Sequence, residues 1–356
     1  MNKKPPSKRN PQDSKKTTEI KKSDNSGLVT IHFRHRVIVT VGFLFIAGLV
    51  AGSMVFAYVY AFIPASRQAR LQGAVAGAAA QAYIYPVRIA NHETPQVSAL
   101  AGMMVDVETG TILWQRDSER PISVASLTKL VSVVTWLQSN PDLEARYTIG
   151  ENFSAAEMTD LVEPGDPVST VSIPAGTVIK KEDLLGAALI ASANNAILAL
   201  VKDQGKSEDF ISAMNSFALK RGAVNSTFTD PSGLDANDQA SAHDMLLLAH
   251  AAFSLPEVLN FAQQPNFLIH ALNSSRIFNV RTTNRLLDSP KSYQIIAAKT
   301  GHLDAKSYHL VIQAEQDGHD ILLVLLGEPS DASRFSDTDI MLRWAYSAYQ
   351  WQRQVE

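Results

Sequence analysis

The chain has 356 residues, no cysteine, 46% hydrophobic residues and a net charge of −3. That length suits one large domain with an appendage, or two domains. Without cysteine there is no disulfide framework and no thiolate metal site, and the nine histidines show no HExxH or paired spacing, so metal catalysis is not expected. The charge is unevenly spread. Residues 1–36 hold ten Lys/Arg against three Asp/Glu, a local +7, which leaves −10 for the rest. A basic tail joined to an acidic body argues against nucleic-acid binding by the body.

Taken in chain order, residues 1–36 are rich in Lys, Ser, Asn and Pro and have few apolar residues, so they read as a disordered basic tail. Residues 37–63 then form a continuous apolar run with no charged side chain. As a helix it would span about 40 Å, enough to cross a bilayer with some tilt. Arg34 and Arg36 flank its near end, and Phe56, Tyr58, Tyr60 and Phe62 crowd its far end. The positive-inside rule places the tail in the cytoplasm and residues 64–356 outside. A single transmembrane signal-anchor is therefore expected rather than a cleaved signal peptide, whose apolar stretch is about half as long. Residues 64–97 read as an Ala-rich extracytoplasmic spacer, helical over Arg67–Tyr83 and ending near Pro86.

From residue 98 to 356 the pattern is globular. Strands are expected at Ala99–Asp106 and Thr111–Arg116 around a Glu108-Thr109-Gly110 turn. Residues 126–260 are mainly helical in period, with loops near 141–180 and 223–240. Three more strands follow at Tyr293–Lys299, Tyr308–Glu315 and Ile321–Leu326, the last two joined by an Asp317-Gly318 turn. A final amphipathic helix is expected over Asp337–Trp351. The order implies an α+β fold: an antiparallel sheet made from both ends of the domain, with a large helical insert.

Three short patterns carry candidate chemistry. Ser126-Leu127-Thr128-Lys129 opens a helix, which puts Lys129 on the face of Ser126. A serine hydroxyl needs a base within reach to attack a carbonyl. Burial would lower the lysine pKa and free its lone pair. The plainer alternative is an N-cap serine with a surface lysine. Ser192-Ala193-Asn194 lies between apolar helical stretches. These polar groups are either satisfied core polars or a proton relay and a clamp for a substrate amide. Ser23-Asp24-Asn25 has a similar pattern but sits in the basic tail. Lys299-Thr300-Gly301 ends a strand, where a cation and a hydroxyl suit a carboxylate and glycine permits close approach.

Taken together and in this order, SxxK, SxN and KTG resemble the penicillin-binding DD-peptidases of the low-molecular-mass D-alanyl-D-alanine carboxypeptidase type. The resemblance extends over Met104–Lys129, Phe228–Leu234, Ser241–Asp244, Asn284–Leu287 and Arg334-Phe335, so it runs from about residue 98 to 350. It implies a β-lactamase/DD-peptidase-like fold with a five-stranded sheet. It also implies roles. Ser126 is acylated by the penultimate D-Ala carbonyl, and Lys129 takes its proton. Ser192 relays a proton to the leaving D-Ala, and Asn194 binds the acyl chain. Lys299 and Thr300 hold the terminal carboxylate, and Gly301 lets the substrate approach closely. The backbone N–H groups of Ser126 and His302 form the oxyanion hole. Peptidoglycan stem peptides are the implied substrate, β-lactam antibiotics the implied acylating inhibitors, and no cofactor or metal is implied. The sequence departs from the family pattern at Asn195, Ala298, His302 and Lys306-Ser307.

Within this class the leading expectation is a carboxypeptidase that removes terminal D-Ala. A DD-endopeptidase that cuts cross-links is the alternative, and the lack of a second β-domain after the last predicted helix leans toward it. A serine β-lactamase fits less well, because Glu257 lies too close to Lys299 and reads as a helix start after Pro256. A non-catalytic sensor of the wall or of β-lactams is the alternative of another class, though 36 tail residues supply no folded output domain.

Overall fold

The computed structural model describes residues 84–153, 168–303 and 307–353. The basic tail, the apolar run of 37–63, the helix expected over Arg67–Tyr83 and Lys306 lie outside the described residues. Among the described residues no single helix is long and apolar enough to cross a membrane.

Strand β1 (Ile84–Arg88) is followed by β2 (Ala101–Asp106) and β3 (Ile112–Arg116). Asp106 shapes the turn between the last two, accepting from the Thr109 N–H at 2.9 Å and its hydroxyl at 2.6 Å. Strand β4 (Ile122–Ser123) leads through a 3-10 turn, Ala125–Leu127, into helix α1 (Thr128–Leu137). The insert continues through β5 (Arg146–Thr148), β6 (Val178–Lys180), α2 (Lys181–Ile190), α3 (Asn194–Gln204) and α4 (Ser207–Lys220). Strand β7 (Gln239–Ala240) pairs back onto β4 before α5 (Ala242–Phe253) and α6 (Pro256–Ala262). The hairpin β8 (Asn266–His270) and β9 (Ile277–Arg281) closes the insert. Strands β10 (Gln294–His302), β11 (Tyr308–Gln316) and β12 (His319–Glu328) return to the sheet, and α7 (Asp331–Ala348) and β13 (Tyr349–Arg353) follow.

The sheet has five antiparallel strands in the order β10-β11-β12-β2-β3, so the two ends of the body meet where β12 pairs with β2. The β11–β12 turn places Asp317 and Gly318 at φ +55° and +84°, both left-handed, as a two-residue hairpin turn requires. Both faces of the sheet are covered. Met103, Val105, Val311, Leu322 and Val324 point into a core shared with the insert helices. Their neighbours Met104, Leu310, Ile312, Leu323 and Leu325 point into a second core with α7. This double burial explains why β2 and β12 read as continuous apolar runs rather than alternating ones. Helix α1 is buried from Thr128 to Trp136, so the segment that carries the SxxK pattern is a core helix.

Three expectations require correction. The folded body begins by Ile84, inside the segment read as a spacer over 64–97. Residues Ile84–Arg88 form β1 and pair with β13, from Ile84 opposite Arg353 to Arg88 opposite Tyr349. Pro86 obscured this strand, since it breaks the local pattern but is tolerated in a two-stranded ribbon. The last helix spans Asp331–Ala348, not Asp337–Trp351. It starts early because Ser330 caps it: the Ser330 hydroxyl accepts from the Ser333 N–H at 3.0 Å, and the Ser333 hydroxyl accepts from the Ser330 N–H at 3.1 Å. It stops early because Tyr349 and Trp351 find distant partners. The Tyr349 hydroxyl donates to the Leu113 carbonyl at 2.6 Å, and Trp351 Nε1 donates to Asp106 at 2.7 Å. Finally, β10 continues past Lys299 to His302, so Lys299-Thr300-Gly301 lies within a strand rather than at its end.

The cap gives a test of where α7 begins. Ser330→Ala is expected to lower stability by about 1 kcal/mol, read as a lower urea midpoint with an unchanged slope. A helix that began at Asp337 would leave the midpoint where it was.

Candidate active site

The turn that carries Ser126 is held in an uncommon backbone state. Ala125 has φ +49°, unusual for a residue with a side chain. Two glycines let the surrounding backbone close on this turn. A Cβ on Gly233, which has φ +77°, would sit 2.0 Å from the Ala125 carbonyl oxygen. A Cβ on Gly301 would lie 2.8 Å from the Val124 carbonyl oxygen. The β10 strand and the 229–238 loop therefore clamp the Ser126 turn from two sides, at a distance only glycine permits.

Lys129, one turn along, is fully buried. Its Nζ lies 2.8 Å from Ser126 Oγ. It also donates to Asn194 Oδ1 and to the Ser232 carbonyl, each at 2.5 Å. Burial drives its pKa from 10.5 down to about 7, against a smaller upward pull from Asp230 and Asp238. A neutral amine has two N–H bonds and one lone pair. With both N–H groups held by the two carbonyl oxygens, the lone pair is left facing Ser126 Oγ.

The Ser232 carbonyl is aimed by a network built on two buried carboxylates. Asp230 accepts from the Ser232 N–H at 2.9 Å, the Ser232 hydroxyl at 2.7 Å and the Leu234 N–H at 2.6 Å. Asp238 accepts from the N–H groups of Thr229, at 2.6 Å, and Asp230, at 3.1 Å. Burial raises the Asp238 pKa to about 7. The Asp238 carbonyl also accepts from the Val124 N–H at 3.0 Å, which ties this loop to the strand leading to Ser126.

Ser192 sits in the turn between α2 and α3 at φ +57°. Its hydroxyl accepts from Lys299 Nζ at 2.7 Å. Lys299 is also buried, and its pKa falls well below 10.5, through burial first and then through the charges of Lys129 and Arg334. Thr300 shares a 2.6 Å hydrogen bond with Thr283. Asn195, noted in the sequence as a departure, is structural. Its amide donates to the Phe153 and Val171 carbonyls at 2.9 and 2.8 Å, and its oxygen accepts from the Val171 N–H at 3.2 Å. Another departure, His302, stacks on Tyr308 with ring centres 4.0 Å apart.

These groups converge on one narrow cavity of about 110 Å³, lined by Ser126, Ser192, Asn194, Thr300, Gly301 and His302 together with Ser169, Thr283 and Arg334. Two larger hollows, at 286–295 and 88–93, are shallow and hold none of the three motifs. The eight residues picked out by sequence thus meet in one place, with Lys129 and Lys299 just beneath the wall. Sequence reasoning named Arg334 only within the resemblance and gave it no place in the site; its guanidinium donates to the Gly301 carbonyl at 2.9 Å and pairs with Asp331. The same reasoning missed the Ser232 carbonyl and the two carboxylates behind it. A signal was present in Asp230-Pro231-Ser232-Gly233, but a backbone oxygen leaves no mark on side-chain identity.

Comparison with known proteins gives this geometry a family. The D-alanyl-D-alanine carboxypeptidase DacC of Escherichia coli is 29% identical over 274 residues, which cover 72% of this chain and 64% of that protein. The chain thus spans less than two thirds of that relative's length. A D-alanyl-D-alanine endopeptidase of Pseudomonas aeruginosa is 25% identical over 250 residues, covering 70% of this chain and 77% of that protein. In fold, the crystal structure of a Streptomyces DD-transpeptidase matches 72% of this chain and 99% of its own, with a TM-score of 0.65 at 23% identity. Residues 88–330, more than half of the chain, match the D-alanyl-D-alanine carboxypeptidase peptidase family, and the protein belongs to that family.

Proposed function

We propose that the protein is a serine-type D-alanyl-D-alanine carboxypeptidase that removes the terminal D-Ala from peptidoglycan stem peptides. The observation that carries this reading is the position of Lys129 Nζ, 2.8 Å from Ser126 Oγ and hydrogen-bonded to Asn194 Oδ1 and the Ser232 carbonyl; in the neutral amine those two acceptors take both N–H groups and leave the lone pair for Ser126.

In this mechanism Lys129 takes the hydroxyl proton as Ser126 Oγ attacks the penultimate D-Ala carbonyl. The N–H groups of Ser126 and His302 receive the developing oxyanion. The C–N bond breaks, and a proton passes to the leaving amine through Ser192 and Lys299, which already share a hydrogen bond. The terminal carboxylate lies against Lys299, Thr300 and Arg334. Burial, and then the charges of Lys129 and Arg334, disfavour the cationic form of Lys299. A bound carboxylate reverses that balance, so substrate and proton are taken up together. Water then attacks the ester carbonyl and gives a proton through Ser192 to the now neutral Lys299; the ester C–O bond breaks, and Lys129 returns its proton to Ser126 Oγ, so both lysines end as they began. β-Lactams would enter the same sequence and stop at the acyl-enzyme.

A DD-endopeptidase is the second reading, favoured by the similarity to the Pseudomonas aeruginosa protein of that name. The body would work outside the cytoplasmic membrane, held by the charge-free run of 37–63 with the basic tail inside.

Three outcomes are expected. The wild-type chain, but not Ser126→Ala, removes one D-Ala from pentapeptide muropeptides by mass spectrometry; splitting of cross-linked dimers instead would make it an endopeptidase, and no change in either would remove the hydrolase reading. Acylation by a chromogenic β-lactam should rise about tenfold per pH unit below pH 7 and level off above it, because only neutral Lys129 accepts a proton and its pKa is about 7; a flat profile from pH 5 to 9 would exclude Lys129 as the base. Protease added to intact spheroplasts should digest the catalytic body and spare a tag at residue 1, and the reverse pattern would overturn the topology.

A further inference from the structure

Away from the cavity, three metal-ligating side chains meet at the start of α5. The Nδ1 of His243 lies 3.3 Å from Glu119 Oε1 and 3.9 Å from Asp244 Oδ1, and the three ligand atoms lie within 4.8 Å of one another. None of the three lines the cavity of Ser126. Glu119 and His243 are open to solvent, while the Asp244 side chain is completely buried. Asp244 Oδ2 accepts from the Asn225 N–H at 2.6 Å, and the Ser241 hydroxyl also hydrogen-bonds this carboxylate. Its Oδ1 is the oxygen turned toward His243. A cation placed between that oxygen, the imidazole and Glu119 would meet three donor atoms at once.

We propose that Glu119, His243 and Asp244 form a binding site for a divalent transition metal, with zinc the best match. One imidazole and two carboxylates are a borderline donor set, suited to zinc and poorly suited to calcium or magnesium, which take oxygen ligands alone. Tetrahedral zinc holds such ligands about 2.0–2.2 Å from the metal, so that neighbouring donor atoms stand about 3.4 Å apart. The His243–Glu119 spacing already meets this, and the exposed end of Glu119 can travel the remaining ångström toward Asp244. Water completes the fourth position. The start of α5 presents the positive end of its dipole, which opposes a cation; two carboxylates at direct ligand distance outweigh it. Asn225 supports the arrangement from the other side, donating its amide to Glu119 Oε2 at 3.0 Å.

The consequence is structural. Glu119 lies just before β4, and His243 and Asp244 just after β7; those two-residue strands pair with each other next to the Ser126 turn. A metal bridging them fastens the open end of that pairing. It takes no part in the acyl transfer.

The test uses the full chain in detergent, stripped with a chelator and titrated with zinc chloride at pH 7.5. One zinc per chain is expected in competition with a chromogenic chelator, with a rise in Tm of about 5 °C when free zinc exceeds its Kd about a hundredfold. Glu119→Gln and His243→Asn, both at solvent-facing side chains, should each weaken binding at least tenfold and abolish the Tm rise while leaving β-lactam acylation of the metal-free protein unchanged. Absence of stoichiometric binding, or binding that survives both substitutions, overturns the proposal.

Discussion

The burial of one amine, Lys129 Nζ, is the constraint on which the site depends. A lysine inside a protein core is unstable unless it sheds its proton or finds partners for each N–H. Here both happen. The apolar surroundings of α1 bring its pKa to about 7, and two carbonyl oxygens take two of its hydrogens. What remains in its neutral form is a lone pair with one direction available, toward Ser126. An exposed lysine at the same spacing would stay charged and would be useless as a base at neutral pH.

Much of the architecture serves to keep that amine dry and its two acceptors in place. Asn194 comes from the start of α3, which is positioned by the Asn195 hydrogen bonds to Phe153 and Val171. The Ser232 carbonyl comes from a loop held by Asp230 and Asp238, and the Ser132 hydroxyl on α1 donates to the Pro231 carbonyl at 2.6 Å. The sheet contributes the opposite wall. Pairing β12 with β2 brings the two ends of the body together, and β10 reaches the Ser126 turn from the sheet's edge. Gly301 and Gly233 then set how near the backbones approach. A side chain at either position would push the wall away from the turn and let water reach Lys129.

What could be read from sequence follows from the range of each interaction. The apolar runs of β2, β11 and β12 and the Asp317-Gly318 turn are local signals, and those strands fell where the pattern placed them. The three motifs were legible because their chemistry resides in side-chain identity. Strand β1 was not, since its partner β13 lies at the other end of the body and Pro86 hides its alternation. The C-terminal boundary of α7 failed for the same reason: Trp351 fits a helical period but is drawn out by Asp106 and by stacking on His319 at 4.5 Å. In the site, Arg334 was read only as part of a resemblance, because nothing in its neighbours shows that the guanidinium bends toward Gly301.

In the proposed reaction the two buried lysines divide one problem between them. Acyl transfer to serine needs a proton removed from the nucleophile and another delivered to the leaving amine, at positions on opposite sides of the reacting carbon. A single cation cannot stand in both places. Lys129 holds the side of Ser126, and Lys299, joined to Ser192, holds the side where the leaving group and its carboxylate would lie. Their charges oppose each other, and that repulsion is one cause of the lowered Lys299 pKa. The site therefore resists carrying both protons at once. In the proposed reaction a substrate carboxylate would remove that resistance on one side only, charging Lys299 and leaving Lys129 to act as the base.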